Sequence, residues 1–445
     1  MNHTIQKDSI AQIWKLAWPV MVGQALHTVL VITDMWFIAS LGSVEAAAAG
    51  TGTSLLGVIQ VLPTLVSAGV VALVARYTGA GDQEHIREVA TNGLILSFLI
   101  GIMMAFGSFL VLDQLIWIFG DADQNVLSMS KSYVAIGLIG IPFFFYNATA
   151  RSVVQATGDT RNPVIIFIIA NLINIVLDYI FIFNLKKGIE GAASATVIAE
   201  VVAFTLMTVL TFKNIYDAQL SRIAEHWDLK FTTTIRILKI GSYAVLQMIT
   251  RPFTGLIMYR LVLVQGVAAG AAFGVGGRMF NFVFIFLAGL GTALSVMVGQ
   301  SLGNEDYNRA KDLVKQGLYL ATLNMIVFAI PFYLYANEVM KFFVDDPETI
   351  IIGANYLRIT YTGVLFAVIN TVFGAAFSGA GDTFPPMLAS LVGNWGIKIP
   401  LAYVMTYIFH MGANGVWLAI AISVVIEAAV MAIWFGKGKW LHKKI

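Results

Sequence analysis

Long apolar runs organise the chain. Stretches of eighteen or more mostly apolar residues recur from Trp14 to Phe435, parted by short polar turns. Helices of about 20 such residues span a bilayer core. The pattern predicts an all-α integral membrane protein with about twelve transmembrane helices, at 13–39, 52–77, 90–119, 132–155, 163–185, 191–212, 241–264, 272–301, 313–336, 354–377, 386–409 and 413–435. The most hydrophilic linker, 213–236, falls near the middle. It divides the chain into an N-terminal bundle (1–212) and a C-terminal bundle (237–445) of six helices each.

Composition agrees with that pattern: 58% of residues are hydrophobic and only 12% are charged. The formal charge of +2 gives no reason to expect a nucleic-acid partner, and zero cysteines exclude disulfides and thiolate chemistry. The N-terminus, MNHTIQKDSIAQIWK, lacks the apolar core and cleavage site of a signal peptide and is expected to be retained. Lys and Arg set the orientation. With the N-terminus inside, most of the 27, from Lys7 and Lys15 through Arg76, Arg87 and Arg151 to Lys443 and Lys444, fall on one side. The opposite side carries Lys131, Lys186, Lys187, Lys341 and Arg358. The bias predicts a multi-pass protein of the cytoplasmic membrane with both termini cytoplasmic. Arg251, Arg260, Arg278 and Lys398 fall within or at the ends of helices, where snorkelling is the simplest reading.

The two halves repeat. At a shift of 224, Ile13 meets Ile237, Gly79 meets Gly303 and Asp82 meets Asp306; at 223, ATGDTRNP (from Ala156) meets GAGDTFPP (from Gly379). One residue has therefore been gained or lost between copies. Six helices per half make the repeats parallel, related by a pseudo-twofold axis along the membrane normal. Two bundles so related enclose a cleft, as an alternating-access transporter requires.

Against this background the acidic residues stand out. In NLINIVLDYIFIF, Asn171, Asn174 and Asp178 form one polar stripe at helical spacing. Asp34 lies in the first helix. The repeat places Met258 opposite Asp34, and Leu401 or Ala402 opposite Asp178, so a scaffold does not need these acids. A carboxylate in hydrocarbon costs several kcal/mol unless paired, hydrated or protonated. Each Asp either hydrogen-bonds a neighbouring helix or belongs to a cation site in the N-terminal bundle. In the second case Asn174 brings an amide oxygen and Thr196 a hydroxyl. These hard oxygen ligands suit Na⁺, and the same carboxylates could instead carry H⁺. Gln24 and His27 can share the face of Asp34 on the first helix, where His27 could tune or relay a proton.

The chain resembles the multidrug and toxic compound extrusion (MATE) family of the MOP flippase superfamily over essentially its whole length. The resemblance rests on LAWPVMVGQ, VITDMWFIASLGSVEAAAAG, VARYTGAGD, QATGDTRNP, NIVLDYIFIFNLKKGIEGAASATVIAE, GQSLGNED and SGAGDTFPP. It implies efflux of organic cations or amphipathic drugs driven by inward Na⁺ or H⁺. Asp34, Asn174, Asp178 and Thr196 match the N-lobe cation site of the DinF-like branch, Tyr133 matches a position near it, and Pro19 matches a proline that lets the first helix bend. Helices seven and ten lack the acids of the NorM-like branch, which implies the DinF-like assignment.

A cation-coupled antiporter acting as a monomer in the lipid bilayer is thus the expectation, with no cofactor beyond the coupling ion. A flippase for a lipid or lipid-linked oligosaccharide is the alternative. An enzyme is disfavoured because no Ser/His, His-rich or phosphate-binding constellation accompanies the carboxylates.

Overall fold

The computed structural model describes residues 2–117, 123–218 and 229–445, and every regular element in them is helical. The first half runs α1 (Asn2–Ala39), α2 (Ser43–Ile59), α3 (Thr64–Ala80), α4 (Gln83–Leu110), α5 (Leu112–Trp117), α6 (Gln124–Ala156), α7 (Arg161–Tyr179) and α8 (Gly188–Tyr216). The second runs α9 (Phe231–Leu263), α10 (Val267–Gly303), α11 (Tyr307–Leu334), α12 (Ala336–Phe343), α13 (Pro347–Gly379), α14 (Phe384–Leu391), α15 (Ile399–Tyr403) and α16 (Gly412–Gly436).

Nine of the described helices are long and apolar enough to cross a membrane, and α2 with α3, bent by 44°, makes a tenth span. Two more predicted spans are helical too. One is α9, whose apolar run is diluted by Arg251 and Arg260. The other is the continuous run from α14 to Ile408, interrupted only by changes of helical pitch. The second predicted helix differs in detail. Helix begins at Ser43 rather than at 52, and the chain turns before Pro63, which has no N–H to continue a hydrogen-bond ladder.

The duplication is written into the turns. Asp82 caps α4 by accepting from the His85 N–H at 3.1 Å, and Asp306 caps α11 by accepting from Arg309 N–H at 2.9 Å. Lys186 and His410 both take positive φ, 53° and 52°, as do Gly188 and Gly412, at 56° and 57°. Each pair is 224 apart. The π-helical turns Ile180–Asn184 and Val404–Ile408 also correspond at 224. A further π turn, Val392–Lys398, exists only in the second copy. It lies between the segment matching at 223 and the segment matching at 224, so it absorbs the extra residue inside a helix. With that register fixed, Asp178 corresponds to Ala402 in the repeat, and both Ala402 and Met258, which corresponds to Asp34, are fully buried apolar residues.

The chain packs as two compact units, Val22–Gly241 and Met1–Met21 with Ser242–Ile445. The division predicted from sequence kept the first helix whole, whereas the packing boundary runs through α1; residues 219–228 of the predicted linker lie outside the described residues. Ile13, Ala17 and Met21 join the core of the unit built by α10, α13 and α16. In Val22–Gly241, α3 and α9 approach through glycines. A Cβ on Gly69 would lie 2.3 Å from the Ile237 carbonyl oxygen, and one on Gly241 would lie 1.7 Å from that of Leu65. Small residues allow such close helix crossings. Gly241→Val should therefore destabilise the protein by about 3 kcal/mol or more through backbone overpacking. Thermal unfolding in detergent checks this against Gly255→Ala, where open space surrounds the glycine and no loss is expected.

Candidate functional site

The site is built on the hairpin of α7 and α8. Leu185 N–H donates to Ile180 O and Lys187 N–H to Phe181 O, both at 2.9 Å, which closes the π turn and sets the entry to α8. Gly191 then lets α8 lie on that turn: a Cβ there would fall 3.0 Å from the Cβ of Phe181 and 3.1 Å from its backbone. This fixes the faces of the two helices, so that Asn174 and Asp178 of α7 look toward Thr196 of α8. The C-terminal part of α1 brings Asp34 to the same place, inside the Val22–Gly241 unit.

Asp178 and Asn174 are almost wholly buried, and Asp34 is half-buried. The Asp34 and Asp178 side chains are within hydrogen-bonding contact. Turned with its nitrogen toward the acids, the Asn174 amide bridges them, donating to Asp34 Oδ1 at 3.2 Å and Asp178 Oδ2 at 3.3 Å. Its oxygen then accepts from the Thr196 N–H at 3.2 Å. The opposite orientation aims the amide oxygen at the carboxylates, an arrangement that needs a cation between them. Thr196 is exposed, and its hydroxyl donates to Ala192 O at 3.1 Å, leaving the oxygen able to accept or ligate. Asp178 Oδ1 is buried without a hydrogen-bond partner. An ionised carboxylate left uncompensated in such a place costs about 3–5 kcal/mol, so the pair calls for a proton or a cation. Oxygen is the donor type throughout, which fits Na⁺ as well as H⁺. Among the described residues no group of three or more His, Asp or Glu gathers as a transition-metal site would require.

The remaining predicted positions scatter. Tyr133 is buried within electrostatic range of both acids, packed on Gly52 of α2, where a Cβ would come within 2.6 Å of its ring. Asn171 is half-buried, with its Nδ2 unpartnered. Gln24 is exposed on α1. His27 is exposed as well, and its ring lies 5.6 Å from that of Phe167. Pro19 is buried in the other unit, on the stretch of α1 that precedes Val22.

Three polar residues that the sequence reading left aside adjoin the site. Arg151, counted above among the charges of one side, lies in α6, as the predicted helix 132–155 implies, and lines a cavity together with Asp34. Asn147 and Glu200 line the same cavity. The available signal was helical spacing within apolar helices: Asn147 and Arg151 are four apart, as are Thr196 and Glu200. Lys398 does not snorkel, because its Nζ donates to Asn394 Oδ1 at 2.5 Å.

Comparison with known proteins adds an independent line. The family model described as MatE matches residues 19–180 and 244–404, one segment in each half. The chain is 26% identical over 438 residues to a probable multidrug resistance protein NorM of Thermotoga maritima, covering 97% of this chain and 93% of that one. It is 26% identical to the probable multidrug resistance protein YoeA of Bacillus subtilis, covering 95% and 94%. The fold is similar to that of the Vibrio cholerae MATE transporter VcmN in the bent form, with a TM-score of 0.90 at 21% identity, over 99% of this chain and 98% of that one.

The amide bridge makes a stability prediction. Asn174→Ala removes the donor shared by two carboxyls and should cost about 1–3 kcal/mol, read as a lower melting temperature. Asn171→Ala deletes a group that has no protein partner to lose and should lower it by less than Asn174→Ala does.

Proposed function

The chain belongs to the MatE family, and on that premise we propose that it is a multidrug exporter, a cation-coupled antiporter that moves organic cations and amphipathic drugs outward by alternating access. The observation that carries this reading is the Asp34–Asp178 pair bridged by Asn174 inside the Val22–Gly241 unit. One buried site that must be neutral, and that can be neutralised by a small ion or by a cationic substrate, couples the two by competition. An ion-loaded pair disfavours the drug and an empty pair attracts it. Inward flow of H⁺ or Na⁺ then drives drug outward.

The relatives support this over the flippase alternative, since two of them, from Thermotoga maritima and Bacillus subtilis, carry the name of probable multidrug resistance proteins. They are transporters rather than enzymes, and the chemistry of this site is ion exchange. In this reading the protein works as a monomer in the cytoplasmic membrane with both termini cytoplasmic, and Pro19, which interrupts the hydrogen-bond ladder of α1, gives that helix a place to bend. The similarity to a transporter solved in a bent form is in keeping with that role.

Asp178→Asn and Asp34→Asn keep the shape of each side chain and remove its charge. Each should abolish ion-driven export of a fluorescent organic cation from proteoliposomes while the protein remains folded and inserted. Export at the wild-type rate from either variant would overturn the site assignment. Imposing a Na⁺ gradient and a pH gradient separately on the wild type identifies the ion.

A further inference from the structure

The carboxylate pair is not isolated within its bundle. One helical turn beyond it, a second set of polar side chains faces the same space. Glu200 follows Thr196 by four residues on α8, Asn171 precedes Asn174 by three on α7, and Asn147 and Arg151 lie four apart on α6. A single cavity of about 80 Å³ joins these residues to Asp34, Asn174 and Thr196. Asn147 holds Glu200 in place, its Nδ2 donating to Oε2 at 2.7 Å and to the main-chain oxygen at 3.0 Å.

Two features identify what this cavity takes. Its size is well below the roughly 300 Å³ of a small drug site, and it has room for a few water molecules. Its lining also has open hydrogen-bonding capacity. Asn147 is nine-tenths buried, and its Oδ1 has no partner; neither does Asn171 Nδ2. A cavity with donors and acceptors of this kind holds water stably. The polar groups therefore form a column from the Asp34–Asp178 pair to Glu200.

We propose that Glu200 is a second station for the coupling proton, reached from the Asp34–Asp178 pair through a short water chain in this cavity. The inference rests on the reading of the pair as the coupling site, and it selects H⁺ as the ion. The proton leaves a carboxyl of the pair, passes along the waters, and bonds to the Glu200 carboxylate, which becomes a neutral acid. It then leaves Glu200 toward the end of the bundle where α6 stops and α7 starts, and the carboxylate is restored. Arg151 of α6 lies within electrostatic reach of Glu200 and stabilises that restored anion. Of the other charged or titratable groups, Asp34 of α1 lines the cavity, Asp178 of α7 adjoins it through Asp34, and His27 of α1 lies within electrostatic reach of Arg151. Glu200 thus occupies the step between release from the pair and release to solution.

The test separates proton transfer from substrate handling. Wild type, Glu200→Gln, Glu200→Asp and Asp178→Asn are reconstituted with tetraphenylphosphonium as the probe. Two rates are measured: export driven by a pH gradient, and exchange of labelled for unlabelled probe with no gradient, which requires no net proton release. Glu200→Gln should lose pH-driven export by about tenfold or more and keep exchange at the wild-type rate. Glu200→Asp should restore export with a displaced pH profile. Full pH-driven export in Glu200→Gln overturns the proposal, as does loss of both activities without rescue by Glu200→Asp. Export by the wild type that follows a Na⁺ gradient alone also overturns it, while leaving the carboxylate site intact. Retained export in Asp178→Asn instead contradicts the underlying reading of the pair.

Discussion

Two carboxyl groups in contact inside a bundle of apolar helices cannot both be charged without severe cost, and the rest of this site follows from that constraint. Something must neutralise the pair, and the surrounding structure limits what can. Asn174 supplies a single amide that serves the acids with its nitrogen or a metal ion with its oxygen. Thr196 keeps a lone pair available. Asp178 Oδ1 is buried and has no hydrogen-bond partner to compensate it. A site that is stable only when occupied is suited to exchanging one cation for another, and the proposed antiport needs little more than this.

Duplication shows how separable that site is from the scaffold. The two halves share caps, left-handed turns and π turns at matching positions, yet Asp34 and Asp178 correspond to buried Met258 and Ala402. The second bundle therefore folds without this pair of acids. In the second half Lys398, which the 224 register aligns with Asn174, places its ammonium on Asn394. The second half thus places a tethered ammonium, hydrogen-bonded to a neutral amide, where the first half has the amide that faces two acids.

Much of this was legible in the sequence because membranes impose simple rules. Apolar length located the spans, and the repeat register identified Asp34 and Asp178 as departures from what the scaffold needs. What was missed has physical causes. The start of α2 at Ser43 was hidden in a small-residue stretch, SVEAAAAG, that reads equally as loop exit or helix. The passage of α1 from one packing unit to the other leaves no trace in hydropathy, since both parts are apolar. The π turn at Val392–Lys398 appeared only as an unplaced one-residue gap. Arg151 was counted only as a charge of the cytoplasmic side, although it falls within the predicted helix 132–155, because charge counting does not show which side chains a helix turns inward. Asn147 went unremarked and Glu200 was given no coupling role, because a polar residue in a helix gains meaning only when its neighbours on other helices are known.

The central claim is that one carboxylate pair is shared between the coupling ion and the organic cation. The most direct measurement is the stoichiometry of displacement: tetraphenylphosphonium is added to the purified protein in weakly buffered detergent, and released H⁺ is followed with an indicator and bound ²²Na⁺ by filtration. The account predicts that binding of the organic cation releases H⁺ or ²²Na⁺ from the wild type, and that the Asp34→Asn, Asp178→Asn double variant releases neither. Binding to the wild type with no release of either ion would contradict it.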